Sequence, residues 1–117
     1  MTEYVTALLL TLAVETPIVA AGLGRWYRVP VARGAPVAAG ASVLTHSVVW
    51  FALPGLLVPS VGTLGYLLAA EAFAWLAETA IFWLAARRDP AGLLLLSLLA
   101  NVASFMTGGL LRIVGVW

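Results

Sequence analysis

The most informative part of this chain for its fold is LGYLLAAEAFAWLAETAIFWLAARR, at residues 64–88. Its apolar part is long enough to cross the hydrocarbon core of a bilayer as a helix, yet it contains two carboxylates, Glu71 and Glu78. Residues seven apart lie on nearly the same face of a helix, about 10 Å apart along its axis. Because burial of two carboxylates in lipid is costly, the rest of the chain must provide a protein interior for this face.

The composition of the whole chain indicates a membrane protein. Of its 117 residues, 63% are hydrophobic and 9% are charged, whereas charged residues make up about 25% of a typical soluble domain. The formal net charge of +1 does not indicate the basic surface that nucleic-acid binding requires. The sequence contains no cysteine, which excludes disulfides and thiolate metal sites.

Four apolar segments follow one another along the sequence. They predict helices at about residues 5–23, 35–58, 64–86 and 91–116, each long enough to span a hydrocarbon core of about 30 Å. Because lipid offers the backbone no hydrogen-bond partner, these segments must be helical. We therefore expect an all-α fold, in which residues 1–117 form a single polytopic membrane domain with four transmembrane helices.

The arginines predict how the helices are oriented. Five of the six flank the first and third links between helices, and the sixth, Arg112, lies near the opposite side. Loops rich in arginine remain in the cytoplasm. We therefore expect the arginine-bearing loops to be cytoplasmic and both termini to be outside, in the inner (plasma) membrane of a cell.

Similar spacing in the two halves of the chain predicts an internal repeat. Glu15 and Glu78 each precede an arginine by ten residues, and His46 and Asn101 each follow one by thirteen. This spacing favours two parallel helical hairpins related by a pseudo-two-fold axis along the membrane normal. The alternative is a chance similarity between leucine-rich spans. In either case a helical rise of 1.5 Å per residue puts both glutamates about 15 Å from the membrane edge, near the midplane.

These polar side chains predict an ion- or proton-binding site inside the membrane. Its expected members are Glu15, His46, Glu78 and Asn101, with Glu71 about two turns nearer the outer face. Hydroxyl groups follow the same helix faces and form an expected secondary lining of Thr11, Ser42, Ser97 and Ser104. Intramembrane ionisable residues are functional by default. The alternatives are that Asn101 and its serines join helices and that His46 is an ordinary core side chain.

The ligand chemistry of this cluster allows two interpretations. Glu15, His46 and Glu78 provide hard-to-borderline ligands that suit a divalent transition metal such as Zn²⁺ or Mn²⁺. The same groups suit a proton relay. Charge balance favours carboxyl groups that are either neutral and hydrogen-bonded or ionised around a cation.

Three classes of function fit this pattern. The first is transport, by a small cation- or proton-coupled carrier or channel that receives its ion at Glu71. The second is a structural or accessory subunit of a membrane complex. The third is an intramembrane metal-dependent enzyme acting on a lipid-soluble substrate, but the sequence has no His-Glu-x-x-His signature, nucleophile elbow or P-loop. We expect transport rather than catalysis and, because four helices make a thin bundle, a homo-oligomer or a membrane partner protein.

The length, the four spans and the position of Glu15 in the middle of helix one resemble the small multidrug resistance transporters. Those transporters are proton-coupled dimers. The two glutamates of the third span, His46 and the one-sided arginines depart from that family's pattern. No residue role is therefore carried over from it.

Overall fold

The computed structural model describes residues 1–116, and α-helix is the only extended regular structure in that range. Its four helices are α1 (Thr2–Tyr27), α2 (Val31–Phe51), α3 (Leu53–Ala86) and α4 (Pro90–Ile113). Each is long and apolar enough to cross a membrane. The expected all-α class with four candidate membrane spans is confirmed, and this architecture is that of a multi-pass membrane protein.

The helices form a ring in which each packs against two others. Helices α1 and α3 both contact α2 and α4. A pseudo-two-fold axis that exchanges the α1–α2 hairpin with the α3–α4 hairpin would leave this set of contacts unchanged. The ring is thus compatible with the internal repeat, which stays a prediction.

The link between α2 and α3 differs from the expected one. Helix two was expected to extend to about residue 58, but α2 ends at Phe51 and α3 already begins at Leu53. Pro54 lies in the first turn of α3, where its missing N–H removes no helical hydrogen bond. Farther along, Gly62 has φ 75° and ψ −179°, a conformation that suits glycine and kinks α3 between the second and third expected spans. Helix α2 also begins earlier than expected, at Val31 directly after Pro30.

The hydrophobic core lies toward one end of the ring. We call the end that carries residues 28–30 and 87–89 the arginine end, and the other the open end. The buried core draws on all four helices and comprises Val19, Leu23, Tyr27, Val29, Ala38, Ala41, Phe82, Leu93, Leu96 and Ala100. These positions extend from the arginine end to about the middle of the helices, so packed side chains close this half of the ring.

Polar contacts join the two hairpins at the arginine end. The Tyr27 hydroxyl donates to both the carbonyl and the carboxylate of Asp89, at 3.2 Å each. The guanidinium of Arg88 donates to the carbonyl of Trp26 at 3.1 Å. Asp89 is also the N-cap of α4, where its carboxylate accepts the N–H of Gly92 at 3.2 Å. One carboxylate therefore caps α4 and holds α1 beside it.

This junction leaves no room for a side chain at Gly92. A Cβ there would collide with the Tyr27 hydroxyl and the Asp89 carboxylate. We expect Gly92→Ala to displace both groups and to lower the free energy of unfolding by about 1–3 kcal/mol, measured by unfolding titration in detergent micelles. Gly109→Ala is the matched control in the same helix, because a Cβ at Gly109 meets no atom within 4 Å. Its helix propensity should raise stability by up to about 1 kcal/mol. Equal stability of the two variants would contradict this role of the junction.

Candidate functional site

A cavity of about 650 Å³ occupies the open end of the ring. Its walls come from all four helices and are largely apolar, with Leu10, Trp50, Tyr66 and Phe105 among them. This volume lies within the range of small-molecule and cofactor sites. The charged, imidazole and amide side chains that line it are Glu15, His46, Glu71, Glu78, Asn101 and Arg112. The structure therefore brings all five expected ion- or proton-binding residues to one cavity.

Glu15 of α1 lies at the inner limit of this cavity and is only 2% exposed. Its Oε2 accepts a hydrogen bond from the Ser42 hydroxyl at 3.0 Å, and its Oε1 accepts one from the Ser104 hydroxyl at 2.6 Å. Ser42 belongs to α2 and Ser104 to α4. The carboxylate of Glu15 thus joins three helices.

Glu78 of α3 is buried in a comparable way and is 1% exposed. Its Oε1 accepts a hydrogen bond from the Thr45 hydroxyl at 2.8 Å, and its Oε2 accepts one from the Asn101 side-chain amide at 2.9 Å. Thr45 lies on α2 and Asn101 on α4. This carboxylate also joins three helices.

The two glutamates share one bonding pattern, in which each takes one donor from α2 and one from α4. The two donors on each of these helices are three residues apart, so they lie on the same helix face. We call this arrangement the polar layer, which consists of Glu15, Ser42, Thr45, Glu78, Asn101 and Ser104. Each donor reaches a carboxylate on a different helix, so the layer crosses the whole ring.

The polar layer separates the cavity from the hydrophobic core. Ala41 and Ala100 are core residues, and each is followed directly by a member of the layer, Ser42 or Asn101. Glu15, Thr45, Glu78, Asn101 and Ser104 also line the cavity. A solute that enters at the open end would meet these side chains as the floor of the cavity, with packed apolar groups beyond them.

Glu71 and His46 line the cavity outside the polar layer. Glu71 is exposed and lies about two turns from Glu78 along α3. The imidazole of His46 packs beside two aromatic rings, with its centroid 5.5 Å from that of Tyr4 and 5.9 Å from that of Trp50. Its Nε2 is buried, and among residues 1–116 it has no hydrogen-bond partner. Asn101 donates a hydrogen bond to Glu78. His46 has the corresponding position in the first half of the chain, but its Nε2 makes no such bond to Glu15.

The geometry gives no support to the expected metal site of Glu15, His46 and Glu78. Within the described part of the chain, no three His, Cys, Asp or Glu side chains are grouped so that they could hold a metal ion. Both glutamates are instead engaged by hydroxyl and amide donors, and His46 packs against aromatic rings.

Two hydroxyl residues, Ser97 and Thr45, make contacts that differ from those expected. Ser97, an expected lining residue, does not line the cavity; its hydroxyl donates to the Trp75 carbonyl at 3.1 Å, and its own carbonyl accepts from Asn101 at 2.9 Å. Thr45 was not among the expected site residues, yet it donates to Glu78. Its position three residues after Ser42, on the same helix face, was the available signal. Thr11, Ser42 and Ser104 lie as expected, at the cavity or in the polar layer.

No protein-family model, curated protein or solved structure matches this chain. The likeness to the small multidrug resistance transporters therefore rests on length, four spans and Glu15.

The polar layer predicts which threonine contributes most to stability. Thr45→Val keeps the shape of the side chain but removes the donor to Glu78, and we expect it to lower the free energy of unfolding by about 1–3 kcal/mol. Thr107→Val is the matched control, since the Thr107 hydroxyl donates only within α4, to the Ala103 carbonyl at 2.7 Å. The control should change stability by about 0.5 kcal/mol or less, measured by the same detergent titration. Equal losses would show that the bond to Glu78 adds nothing to stability.

Proposed function

We propose that this chain is a small integral membrane transport protein that carries protons or a cation through its cavity and polar layer. The observation that supports this proposal most directly is the pair of buried glutamates, Glu15 and Glu78, at the floor of one cavity. Ionisable groups at such depth are expensive, and they characteristically mark ion pathways and proton relays.

The balance of donors and acceptors favours a positively charged or proton-donating solute. Each carboxylate oxygen of Glu15 and Glu78 accepts one hydrogen bond from the protein, and such an oxygen has about two lone-pair sites. Acceptor capacity therefore remains at the cavity floor. Three carboxyl groups line the cavity, and Arg112 is the one arginine among its lining residues. Charge balance then calls for protons on the carboxyl groups or a cation beside them.

The order of the carboxyl groups suggests a route. Glu71 is exposed on the cavity wall, and Glu78 lies about 10 Å farther along the same helix. A proton or cation from the open end would meet Glu71 before the polar layer. We place the open end and both termini outside the cell and the arginine end in the cytoplasm, because five of the six arginines lie near the arginine end.

Beyond the polar layer, the hydrophobic core blocks the route to the arginine end. In the proposed cycle the helices must separate there, or the path must pass between protomers. Because packed side chains close this half of the four-helix ring, we favour a homo-oligomer in the plasma membrane as the working unit, with a path between protomers.

A second candidate function is that of a structural or accessory subunit of a membrane complex. It is favoured by one observation: all four carboxylate oxygens of Glu15 and Glu78 accept hydrogen bonds from side chains of α2 or α4. Such a layer can hold the helices in register without any flux. The two functions make opposite predictions for the glutamates.

The deciding experiment measures flux in liposomes that contain the purified protein. An internal pH-sensitive dye reports proton movement under an imposed pH gradient, and a parallel assay follows sodium or potassium. The test variants are Glu15→Gln, Glu78→Gln and Glu71→Gln, and the matched control is Glu3→Gln, since Glu3 is exposed in the first turn of α1.

We expect wild type and Glu3→Gln to carry the ion. The flux through Glu15→Gln and Glu78→Gln should fall by about 100-fold or more, because a positioned proton-transfer group typically contributes about 10²–10⁴-fold. Glu71→Gln keeps the polar layer and should lose flux without loss of thermal stability. Wild-type flux no greater than that of empty liposomes, together with unfolding of Glu15→Gln and Glu78→Gln at lower temperature, would refute transport and support the structural role.

A further inference from the structure

A second cavity lies on the outside of the ring as an open groove of about 590 Å³ between α2 and α3. Its α2 side includes Arg33, Pro36, Gly40 and Leu44, and its α3 side includes Leu84 and Ala85. We call it the α2–α3 groove. Arg33 is its one charged lining residue, and the others are apolar.

We propose that the α2–α3 groove binds one acyl chain of an anionic phospholipid whose phosphate contacts Arg33. This inference does not depend on the proposed transport function, because the groove faces away from the cavity and shares no lining residue with it. It assigns the groove a lipid from the leaflet at the arginine end.

The length of the groove matches one leaflet. Arg33 and Leu44 are eleven residues apart on α2, which corresponds to about 16 Å of helix. Half of a hydrocarbon core is about 15 Å thick. The groove therefore runs from the arginine end to about the level of the polar layer, where Ser42 and Thr45 lie on the same helix. An acyl chain whose headgroup is at Arg33 would follow it over its length.

The groove follows a single face of α2, on which Gly40 leaves open space. Residues 33, 36, 40 and 44 recur at helical spacing, and a Cβ built at Gly40 would meet no atom within 4 Å. No side chain within residues 1–116 fills this space. A flexible hydrocarbon chain supplies the dispersion contacts that the exposed groove otherwise lacks.

The charge at the head of the groove favours an anionic headgroup. Arg33 is exposed, and its Nη2 lies 3.5 Å from the Ala85 carbonyl, which places the guanidinium across the end of the groove between the two helices. A guanidinium has five N–H donors, so others remain for a phosphate. The arginine end carries five arginines and a single acid, Asp89, in the described chain. That carboxylate already accepts hydrogen bonds from Tyr27 and Gly92.

The test is native mass spectrometry of the full chain in detergent, titrated with dioleoyl phosphatidylglycerol or dioleoyl phosphatidylcholine. The test variants are Arg33→Gln, which removes the phosphate contact, and Gly40→Leu, which fills the groove. Arg25→Gln is the charge control, because Arg25 is exposed near the same end but does not line the groove. Gly55→Leu is the packing control, since Gly55 also has open space around it.

We expect one molecule of phosphatidylglycerol to bind the wild type with at least about fivefold higher affinity than phosphatidylcholine does. One arginine near an anionic headgroup accounts for a difference of this size. Arg33→Gln should lose this preference, Gly40→Leu should weaken the binding of both lipids, and both controls should bind as wild type does. Glycerol phosphate, which has the headgroup chemistry without acyl chains, should not displace the lipid.

Three outcomes would overturn the proposal. An equal loss of preference in Arg25→Gln and Arg33→Gln would show diffuse attraction to the arginine end rather than a site. Unchanged lipid binding in Gly40→Leu would show that the groove holds no acyl chain. If Gly40→Leu also changed a dimer into a monomer, the occupant of the groove would be a second copy of this chain. Displacement by glycerol phosphate would reduce the site to a phosphate contact.

Discussion

The burial of Glu15 and Glu78 limits how the four helices can pack together. A buried carboxylate is tolerated only when its oxygens have partners, and here every oxygen has a donor on α2 or α4. Because both glutamates draw on the same two helices, the layer sets the axial register of all four. A slide of α2 by one turn would withdraw the donors Ser42 and Thr45 together. Apolar packing alone tolerates such a slide far better, since one leucine-rich face resembles the next.

The polar layer divides the ring into two halves with different physical character. On the arginine side, side chains from all four helices pack into a closed core, and Tyr27, Asp89 and Arg88 join the hairpins. On the open side, the same helices leave a cavity of about 650 Å³. Stability is therefore concentrated in one half and accessible space in the other. In the proposed transport cycle, an ion at the layer would exchange hydrogen bonds that also hold the helices together, so flux and stability would be linked.

Much of the candidate site could be predicted from spacing, and the errors have physical causes. The spacing of Glu15 and Glu78 predicted that they meet at one site, as they do in the cavity, and the hydroxyls on neighbouring faces identified Ser42 and Ser104. The pairing of donors with acceptors did not follow, because it depends on the rotation of each helix about its axis. The match between His46 and Asn101 was misleading for this reason: Asn101 donates to Glu78, whereas the imidazole of His46 packs beside the rings of Tyr4 and Trp50.

The all-α class, the number of helices and the presence of polar groups in their middle could be read from the sequence alone, because each follows from hydropathy and a rise of 1.5 Å per residue. Which ends of the helices pack and which separate is known only from the assembled helices. The same holds for the end of α2 at Phe51 and the kink of α3 at Gly62, since turn residues mark a break without specifying its geometry. Closure of α4 on α1 brings Ser104 to Glu15 across 89 positions of sequence, and a contact at that distance has no local pattern from which it could be predicted.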